Sequence, residues 1–412
     1  MSPNLRIACR FLTAKKRAML MSLACTVLGV GLFIVTQATT SGFEKFFIKA
    51  ILGADGAIRV EDQLQDTLRT IAAAHAGRTA GEKEGLRYIE GIDEPKRVME
   101  ALRQFSNVSG TSAVLRGNVD VASAFKTDTA QIFGVDIDEH VKVSDITQHI
   151  VAGELEDFRR GPSGALIGRE LATRLQLSVG ESFLVTKNGD AQRFRVSAIY
   201  QTGVSDIDKV RIFVHMSEAR AVLKKPFGVT FIQLGLYDPS RAREDATRIE
   251  GVVGYSAKPW QYSARVWLEV FRALRVSSGI TVTVFTIIAS LAMFNTLAMI
   301  VLEKTKDIAI LRSMGYERRD VTQIFLWQAA MVLVLGAVLG SIFGAAATWG
   351  VSQIPLNLHG ILVTKYFKVD PSPWHYVVAV VTAAVMVMIA SLIPASRAAR
   401  LEPGDIVRGT AQ

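Results

Sequence analysis

Cysteine is scarce in this sequence, and the positions of the two cysteines matter as much as their number. Among 412 residues only Cys9 and Cys25 occur, so the segment from 42 to 273 contains no cysteine. A disulfide framework is therefore excluded for that segment. With about 230 residues, it is long enough to bury a stabilising core without one.

The chain also lacks the short motifs of common catalytic sites. It contains no GxxxxGK[ST] phosphate loop, no HExxH zinc motif and no GxSxG nucleophile elbow, and its six histidines show no metal-ligand spacing. We therefore expect a protein that is not an enzyme and that itself binds no cofactor or metal. Any energy from ATP would have to be supplied by another polypeptide.

Charge is absent from four stretches of the chain. They cover residues 18–36, 279–302, 324–351 and 374–394. Each is long enough to cross the hydrocarbon core of a bilayer as a helix, and half of all residues are hydrophobic. The sequence thus predicts four membrane spans, with one large segment between the first and the second.

The net charge of +9 is concentrated at the ends of these spans. Segment 42–273 holds 31 basic and 31 acidic residues, whereas the N-terminal tail, the 303–320 loop and the C-terminal tail together hold 13 basic and 6 acidic ones. Lysine and arginine beside membrane spans are typical of cytoplasmic loops rather than of a nucleic-acid-binding patch. The pattern predicts that both termini and the 303–320 loop are cytoplasmic, with 42–273 on the other side.

The first span follows Lys15, Lys16 and Arg17, as the apolar part of a signal peptide does. Its 19 residues exceed the usual length of that part, which favours an uncleaved anchor. Gly29 and Gly31 within it allow either close helix packing or a slot for a lipid-like chain.

The second span continues directly into an amphipathic segment. Residues 303–315, EKTKDIAILRSMG, place charged and apolar residues at helical spacing, and Gly315 is typical of a helix end. Two interpretations fit this segment: a juxtamembrane helix anchored by lysines, or a docking element for a soluble partner. A helix continuous from 262 to 302 would be about 60 Å long and could carry motion between the two sides of a membrane.

Several passages resemble one known family. Residues 295–315, NTLAMIVLEKTKDIAILRSMG, are similar to the cytoplasmic coupling segment of the MacB/FtsX superfamily of ABC transporter permeases, in which this segment sits in a groove of a separate ATPase subunit. Residues 41–62, 134–158 and 165–185 resemble its LolC/LolE, or lipoprotein-releasing, branch. The matching positions there include Gly134, Gly168, Leu171, Ala172, Leu175 and Gly180. Residues 396–403 resemble the C-terminal signature of the family.

The resemblance implies an α-helical membrane protein with four transmembrane helices and a large α+β periplasmic domain inserted between helices 1 and 2. We expect residues 1–41 to form a cytoplasmic basic tail and the first transmembrane helix. Residues 42–273 would form the MacB-like periplasmic domain, with a β-rich subdomain at about 126–224. Residues 274–412 would form an FtsX-like domain with three transmembrane helices, a coupling helix at about 303–315 and a cytoplasmic C-terminal tail.

Two local patterns stand out in the β-rich part. Val119, Val121 and Phe125 alternate as residues of a strand do. In LolC-type members a long hairpin recruits the periplasmic lipoprotein chaperone, but here only residues 186–192 separate Val185 from Arg193. Asn188-Gly189 predicts a tight turn at this point, which leaves no room for such a hairpin.

Three sets of residues are candidates for functional roles. The resemblance assigns ATPase coupling to Glu303, Lys304, Thr305, Lys306, Asp307, Ile308, Leu311, Arg312, Met314 and Gly315. Gly336, Gly340 and Gly344 form a GxxxGxxxG ridge, which favours tight packing against another helix within the chain or across a dimer. Gly29, Thr283, Thr286 and Ser290 could line a substrate cavity; alternatively, the hydroxyl groups bond to their own helix backbone.

By resemblance, the chain is the permease subunit of an ATP-driven ABC transporter in the bacterial inner membrane. It would use mechanotransmission to extract or export a lipoprotein, or another lipidated or amphipathic substrate, from the outer leaflet. The alternatives are a MacB-like efflux permease that works with a periplasmic adaptor and an FtsX-like regulator of a cell-wall hydrolase that transports nothing.

The expected partners follow from the same resemblance. They are two copies of an ATP-binding subunit, which would hold ATP and Mg, a second permease copy or paralogue, and membrane lipids. A periplasmic adaptor or chaperone is a further candidate, and no nucleic acid is expected.

Overall fold

The computed structural model describes residues 6–8, 16–62, 91–355, 357–358, 362–363 and 366–400. The C-terminal signature from Leu401 onward and most of the basic N-terminal tail, both subjects of sequence predictions, lie outside these residues. The described residues fall into two compact units. The helical unit lies within Met1–Lys45, Val270–Pro355 and Tyr366–Gln412, and the sheet unit lies within Phe46–Glu269 and Leu356–Lys365.

Four helices in the described part of the chain are long and apolar enough to cross a membrane. We number them the first to the fourth long helix: Lys16–Asp55, Arg265–Glu303, Arg318–Ser352 and Pro373–Ala399. The first two have 40 and 39 residues, so each is about 60 Å long and exceeds the thickness of a bilayer core. Their excess length, residues 46–55 and 265–269, belongs to the sheet unit.

The helical unit is apolar both inside and outside. Its core includes Ile34, Leu297, Phe325 and Val387, one from each long helix. Large apolar side chains such as that of Ile342 are also exposed along the helix surfaces. A helix that is hydrophobic all round fits a lipid surrounding, because water would oppose that exposure.

The described residues of the sheet unit form one ten-stranded sheet. Its strands are β1 (Ile58–Glu61), β2 (Val108–Ala122), β3 (Thr127–Val135), β4 (Ile150–Gly153), β5 (Gly164–Gly168), β6 (Ser182–Lys187), β7 (Asp190–Tyr200), β8 (Arg211–His215), β9 (Phe231–Leu236) and β10 (Ser256–Pro259). The order along the sheet is β10-β1-β9-β2-β3-β8-β5-β7-β4. β6 pairs with both β2 and β7, so six strands close into a ring: β2, β3, β8, β5, β7 and β6.

The ring and the open part of the sheet have separate cores. The ring core contains Val121, Ile132, Phe183 and Phe194, together with side chains of two short helices, Arg169–Leu175 and Met216–Leu223. The open part, β10-β1-β9 and the start of β2, packs against Pro95–Leu102 and Ala242–Val253. The remaining short elements are the α-helices Ile137–His140, Leu155–Arg160, Ser205–Asp208 and Trp260–Ser263, the 3-10 helices Ile146–His149 and Pro239–Arg241, and the strand pair Asn357–Leu358 and Leu362–Val363.

The local predictions for the β-rich part have different outcomes. The tight turn at Asn188-Gly189 is confirmed, because both residues have positive φ, 52° and 91°, and they directly join β6 to β7. The strand prediction for Phe125 is wrong. β2 ends at Ala122, and the hydroxyl of Ser123 accepts hydrogen bonds from the backbone amides of Phe125 and Lys126, which turns the chain.

The continuous helix predicted to start at 262 starts instead at Arg265, since the short helix Trp260–Ser263 ends at Ala264. The second long helix is nevertheless unbroken from there to Glu303. It therefore keeps most of the length that the sequence suggested.

Candidate functional site

The amphipathic segment forms a short helix of its own at the end of the second long helix. The second long helix ends at Glu303, and Thr305–Ser313 continues the chain after a single residue, Lys304, with φ −94° and ψ 14°. The Thr305 hydroxyl donates to the carbonyls of Val301 and Leu302, at 3.0 and 2.7 Å. Lys304 therefore interrupts the regular helix, and hydrogen bonds hold the short helix to the long one.

The far end of the short helix is closed by glycine. Gly315 has φ +97°, a backbone conformation that is strained for any residue with a Cβ atom. Nothing lies within 4 Å of the position that a Cβ would take. The third long helix then begins with a capping box, in which the side chains of Glu317 and Asp320 bond to each other's backbone amides. Both ends of Thr305–Ser313 are thus fixed by local structure.

One face of the short helix belongs to the core of the helical unit. Ile308 is buried in that core, which also contains Val321 and Phe325 of the third long helix and Ala398 of the fourth. Ala309, the next residue, is buried as well. The predicted coupling residue Ile308 is therefore placed inward, where it anchors the short helix.

The opposite face is exposed and partly apolar. Lys306, Ile310 and Met314 follow at intervals of four residues, so they lie on one stripe of the helix surface. The exposed fractions of Ile310 and Met314 are 58% and 73%. Leu302 and Glu303, one turn earlier, are exposed as well. We call these five residues the exposed stripe.

The charged side chains of the segment do not all point outward. Lys304 forms an ion pair with Asp307 within the segment, at 2.7 Å. Arg312 is half-buried and donates to the carbonyl of Tyr316 at 3.4 Å, while its buried Nε has no acceptor among the described residues. Leu311 is also half-buried. The predicted coupling residues therefore divide into an outward group and a group that shapes the segment itself.

The glycine ridge of the third long helix faces the first long helix. A Cβ on Gly336 would lie 2.7 Å from the Thr26 side chain, and one on Gly344 would lie 3.0 Å from that of Ile34. A Cβ on Gly340 would meet Val30 at 2.9 Å. Because all three distances are below or at the limit of real Cβ contacts, the two helices approach closely over about two turns within one chain.

The four candidate cavity residues are not brought together as one surface. Thr286 and Ser290 are buried, and each hydroxyl donates to the carbonyl four residues earlier, at 2.9 and 2.8 Å. Thr283 is exposed and makes the same kind of bond, at 2.8 Å to Gly279. A Cβ on Gly29 would be 3.3 Å from the Ala289 side chain, so this glycine faces the second long helix closely.

Sequence reasoning missed a buried ionic cluster in the sheet unit. Asp55, the last residue of the first long helix, accepts hydrogen bonds from both Nη atoms of Arg211. Arg59 lies 3.5 Å from Asp55 and also 3.5 Å from Glu61, which in turn pairs with Lys258 at 3.3 Å. No local pattern announces this cluster, because Asp55 and Arg211 are 156 positions apart.

His140 lies beside the same cluster and is fully buried. Its Nδ1 is 3.1 Å from the Ser112 hydroxyl, and its buried Nε2 has no partner among the described residues. Burial, reinforced by the charge of Arg211, lowers the pKa of His140 to about 4, and the opposing effect of Asp55 is smaller. The imidazole is therefore neutral at physiological pH.

Comparison with known protein families gives matches along most of the chain. The model of the MacB-like periplasmic core domain matches residues 19–252, which is more than half of the chain, and that of the FtsX-like permease C-terminal matches residues 279–403. The second match contains the whole segment from the second membrane span through the exposed stripe to the glycine ridge.

Individual relatives cover nearly the full length. The chain is 27% identical over 445 residues to the lipoprotein-releasing system transmembrane protein LolC of Xylella fastidiosa strain 9a5c, with 98% of each chain covered. It is 24% identical over 335 residues to LolE of Haemophilus influenzae, which covers 74% of this chain and 79% of that protein. Among solved structures, the periplasmic region of MacB from Actinobacillus actinomycetemcomitans matches 52% of this chain and 94% of that one, with 10% identity and a TM-score of 0.34.

These matches confirm the resemblance inferred from residues 295–315 and from the large segment. Together with the four apolar helices, they identify a multi-pass protein of the bacterial inner membrane with a periplasmic domain. The chain belongs to the MacB/FtsX superfamily of ABC transporter permeases, in the part of it that includes the LolC and LolE proteins.

Proposed function

We propose that this chain is the permease subunit of an ATP-driven transporter that releases lipoproteins, or similar lipidated substrates, from the outer leaflet of the inner membrane. The observation that carries the proposal is the junction at Lys304, where an unbroken 39-residue helix meets a short helix with an exposed stripe. The names of the full-length relatives supply the substrate class, since LolC and LolE are proteins of a lipoprotein-releasing system.

The proposed mechanism begins at the exposed stripe. A separate ATP-binding subunit receives Ile310 and Met314 in an apolar groove, while Lys306 contributes charge complementarity at its edge. Because Ile308 anchors the other face of the short helix in the core of the helical unit, a push on the stripe is transmitted to the long helices. Coupling requires that the ATP-bound partner prefers one permease conformation over another.

Transmission across the membrane then uses the length of the second long helix. At about 60 Å it reaches beyond the bilayer core, and residues 265–269 belong to the sheet unit. In this mechanism the sheet unit is the periplasmic domain that expels or extracts the lipidated substrate. Two permeases, identical or paralogous, and two ATP-binding subunits complete the transporter.

In this proposal, ATP is bound and hydrolysed by other subunits and not by this chain. In the proposal ATP and Mg are held by the partner subunits, and this chain contributes binding, conformational change and a path for force. Both chain termini and the 303–320 loop face the cytoplasm, as the excess of basic residues around the spans favours. Contact with a periplasmic chaperone is assigned to another subunit, since the β6–β7 hairpin has only a two-residue turn.

Reconstitution with the ATP-binding subunit tests the coupling role. Charge reversal at Lys304, Lys306 and Arg312 should abolish substrate-stimulated ATPase activity in vesicles. Lys306→Glu alone leaves in place the two residues that shape the segment, so it should lower the stimulation while the protein still inserts and folds. A matched control is Lys126→Glu, which reverses an exposed charge in the turn after β2. If the triple variant retained full stimulation, the assignment of this segment as the coupling element would be wrong.

Co-purification from native membranes separates the substrate alternatives. A bound lipoprotein supports the proposal, whereas a periplasmic adaptor without lipoprotein supports a MacB-like efflux permease. Recovery of a cell-wall hydrolase, with an ATPase that no substrate stimulates, supports an FtsX-like regulator. Mass spectrometry of proteins and lipids in one preparation distinguishes all three.

A further inference from the structure

The connection between the third and fourth long helices crosses the first long helix at close range. We call residues 366–372 of this connection the strap. The backbone amide of Asp370 donates to the carbonyl of Ala38 at 2.9 Å. A Cβ on Gly42, one helical turn farther along, would lie 2.5 Å from both the Lys368 carbonyl oxygen and the Val369 Cα. The approach is therefore possible only because residue 42 has no side chain.

The carboxylate of Asp370 joins two helices at this crossing. It accepts hydrogen bonds from Nζ of Lys45 on the first long helix, at 2.7 Å, and from Nε2 of His375 in the first turn of the fourth, at 3.3 Å. Asp370 and His375 side chains are each only 13% exposed, whereas that of Lys45 is 67% exposed. Burial alone would raise the pKa of Asp370, but the bonds from Lys45 and His375 outweigh it and hold the pKa below its ordinary value.

Aromatic residues mark the level of this crossing relative to a membrane. Trp349 near the end of the third long helix, Tyr366 in the strap and Trp374 at the start of the fourth long helix are all exposed. Exposed tryptophan and tyrosine at helix ends are typical of the interface between lipid and water. The strap thus lies at the headgroup level, where a carboxylate and a lysine can be charged without entering the hydrocarbon.

We propose that the strap is a conformational lock that holds the first and fourth long helices at a fixed spacing at this end of the helical unit. The backbone bond to Ala38, the close contact at Gly42 and the two bonds to the Asp370 carboxylate act together in it. The third long helix, already packed on the first through its glycine ridge, belongs to the same body. The lock depends only on contacts within the chain, so it stands whether or not the substrate is a lipoprotein.

Distance measurements between spin labels test the lock directly. In a background with Cys9→Ser and Cys25→Ser, nitroxide labels at Thr40→Cys and Trp374→Cys report the spacing of the two helices in nanodiscs. The full chain should give one narrow distance distribution. Asp370→Asn removes the charge that Lys45 and His375 contact, and Gly42→Ala pushes the strap away; each should at least double the width of the distribution.

Gly279→Ala is the matched control, because it adds the same methyl group to a long helix at a position with nothing within 4 Å. Its distribution should stay as narrow as in the parent chain. Lys45→Ala, at a largely exposed position, gives a milder variant should Gly42→Ala fail to fold, and it should also broaden the distribution. Unchanged widths in Asp370→Asn and Lys45→Ala, or equal broadening in Gly279→Ala, would overturn the proposal.

Discussion

Arg211 donates two hydrogen bonds to the carboxylate of Asp55, at 2.6 and 3.1 Å, and so joins the first residue of β8 to the last residue of the first long helix. The Arg211 guanidinium also lies 4.9 Å from the centre of the Phe133 ring. Within the sheet unit, the end of this helix is therefore bonded to a strand of the ring. In the proposed mechanism, a force that reaches Asp55 along the helix passes directly into β8.

Loss of the Asp55 carboxylate should destabilise the sheet unit strongly. Asp55→Asn leaves the buried Arg211 charge without its anionic partner, and we expect a loss of roughly 3 kcal/mol in the free energy of unfolding. Denaturant unfolding of the full chain in nanodiscs measures it. In the matched variant Asp206→Asn the broken pair, Lys209–Asp206, is exposed, so the loss should stay below about 1 kcal/mol. Equal losses would show that Asp55 is not a buried partner.

Ile308 and Ile310 of the short helix lie two positions apart but should respond differently to the same substitution. Ile308→Asp places a carboxylate in the apolar core and should lower the thermal unfolding temperature markedly or prevent folding. Ile310→Asp changes only the exposed stripe, so the unfolding temperature should hold while stimulated ATPase activity falls about tenfold, or roughly 1.4 kcal/mol of coupling. Thermal unfolding and ATPase assays on the same preparations check both. A destabilised Ile310→Asp variant with intact coupling would contradict the division into two faces.

Adding a methyl group to the glycine ridge should destabilise the helical unit. Gly340→Ala brings a Cβ to 2.9 Å from Val30 and 3.0 Å from the Val27 carbonyl oxygen, which should cost about 1–3 kcal/mol of helix packing. Gly350→Ala lies in the same helix with nothing within 4 Å, so it should be neutral or slightly stabilising. Thermal unfolding in nanodiscs compares the two. Similar unfolding temperatures would mean that the first and third long helices can separate at no cost.

Stability of the sheet unit should decrease in mild acid because of His140. Its folded pKa of about 4 lies below the ordinary 6.5, so between these values the unfolded chain binds a proton that the folded chain does not. The free energy of unfolding should therefore be highest above pH 6.5 and fall by up to about 1.4 kcal/mol per pH unit down to pH 4. When the free energy of unfolding is measured across this pH range, the slope should disappear in His140→Phe. It should remain in the control variant His149→Gln, whose histidine is only half-buried. A slope that survives in His140→Phe would assign it to other groups.

The membrane helices and the segment after Glu303 could be predicted because both are encoded by continuous patterns. Four uncharged runs suffice for the helices, and the spacing of Ile308 and Ile310 among charged residues indicates an amphipathic helix. The pattern alone does not say which isoleucine faces the core, because both are apolar. That choice depends on Phe325 and Ala398, which come from other helices.

The contacts that organise the sheet unit and the strap lie outside the reach of local patterns. Asp55 and Arg211, or Lys45 and Asp370, meet only after residues more than a hundred positions apart have been brought together. For Phe125 a local pattern gave the wrong prediction. Its alternation with Val119 and Val121 predicts a strand, but the Ser123 hydroxyl accepts hydrogen bonds from the following backbone amides, and β2 ends earlier.

Closure of the ring has a consequence for how this chain can be recognised. Within the ring, each strand pairs with a ring neighbour on both sides along at least part of its length, so the ring leaves only short stretches of free backbone amides and carbonyls to an incoming β-strand. In the described sheet the terminal strands are β10 and β4, each only four residues long. A protein that docks on the ring therefore has to recognise mainly its side chains and turns, because little backbone is left to extend the sheet. Substitutions can change the partner of such a surface while its backbone stays the same.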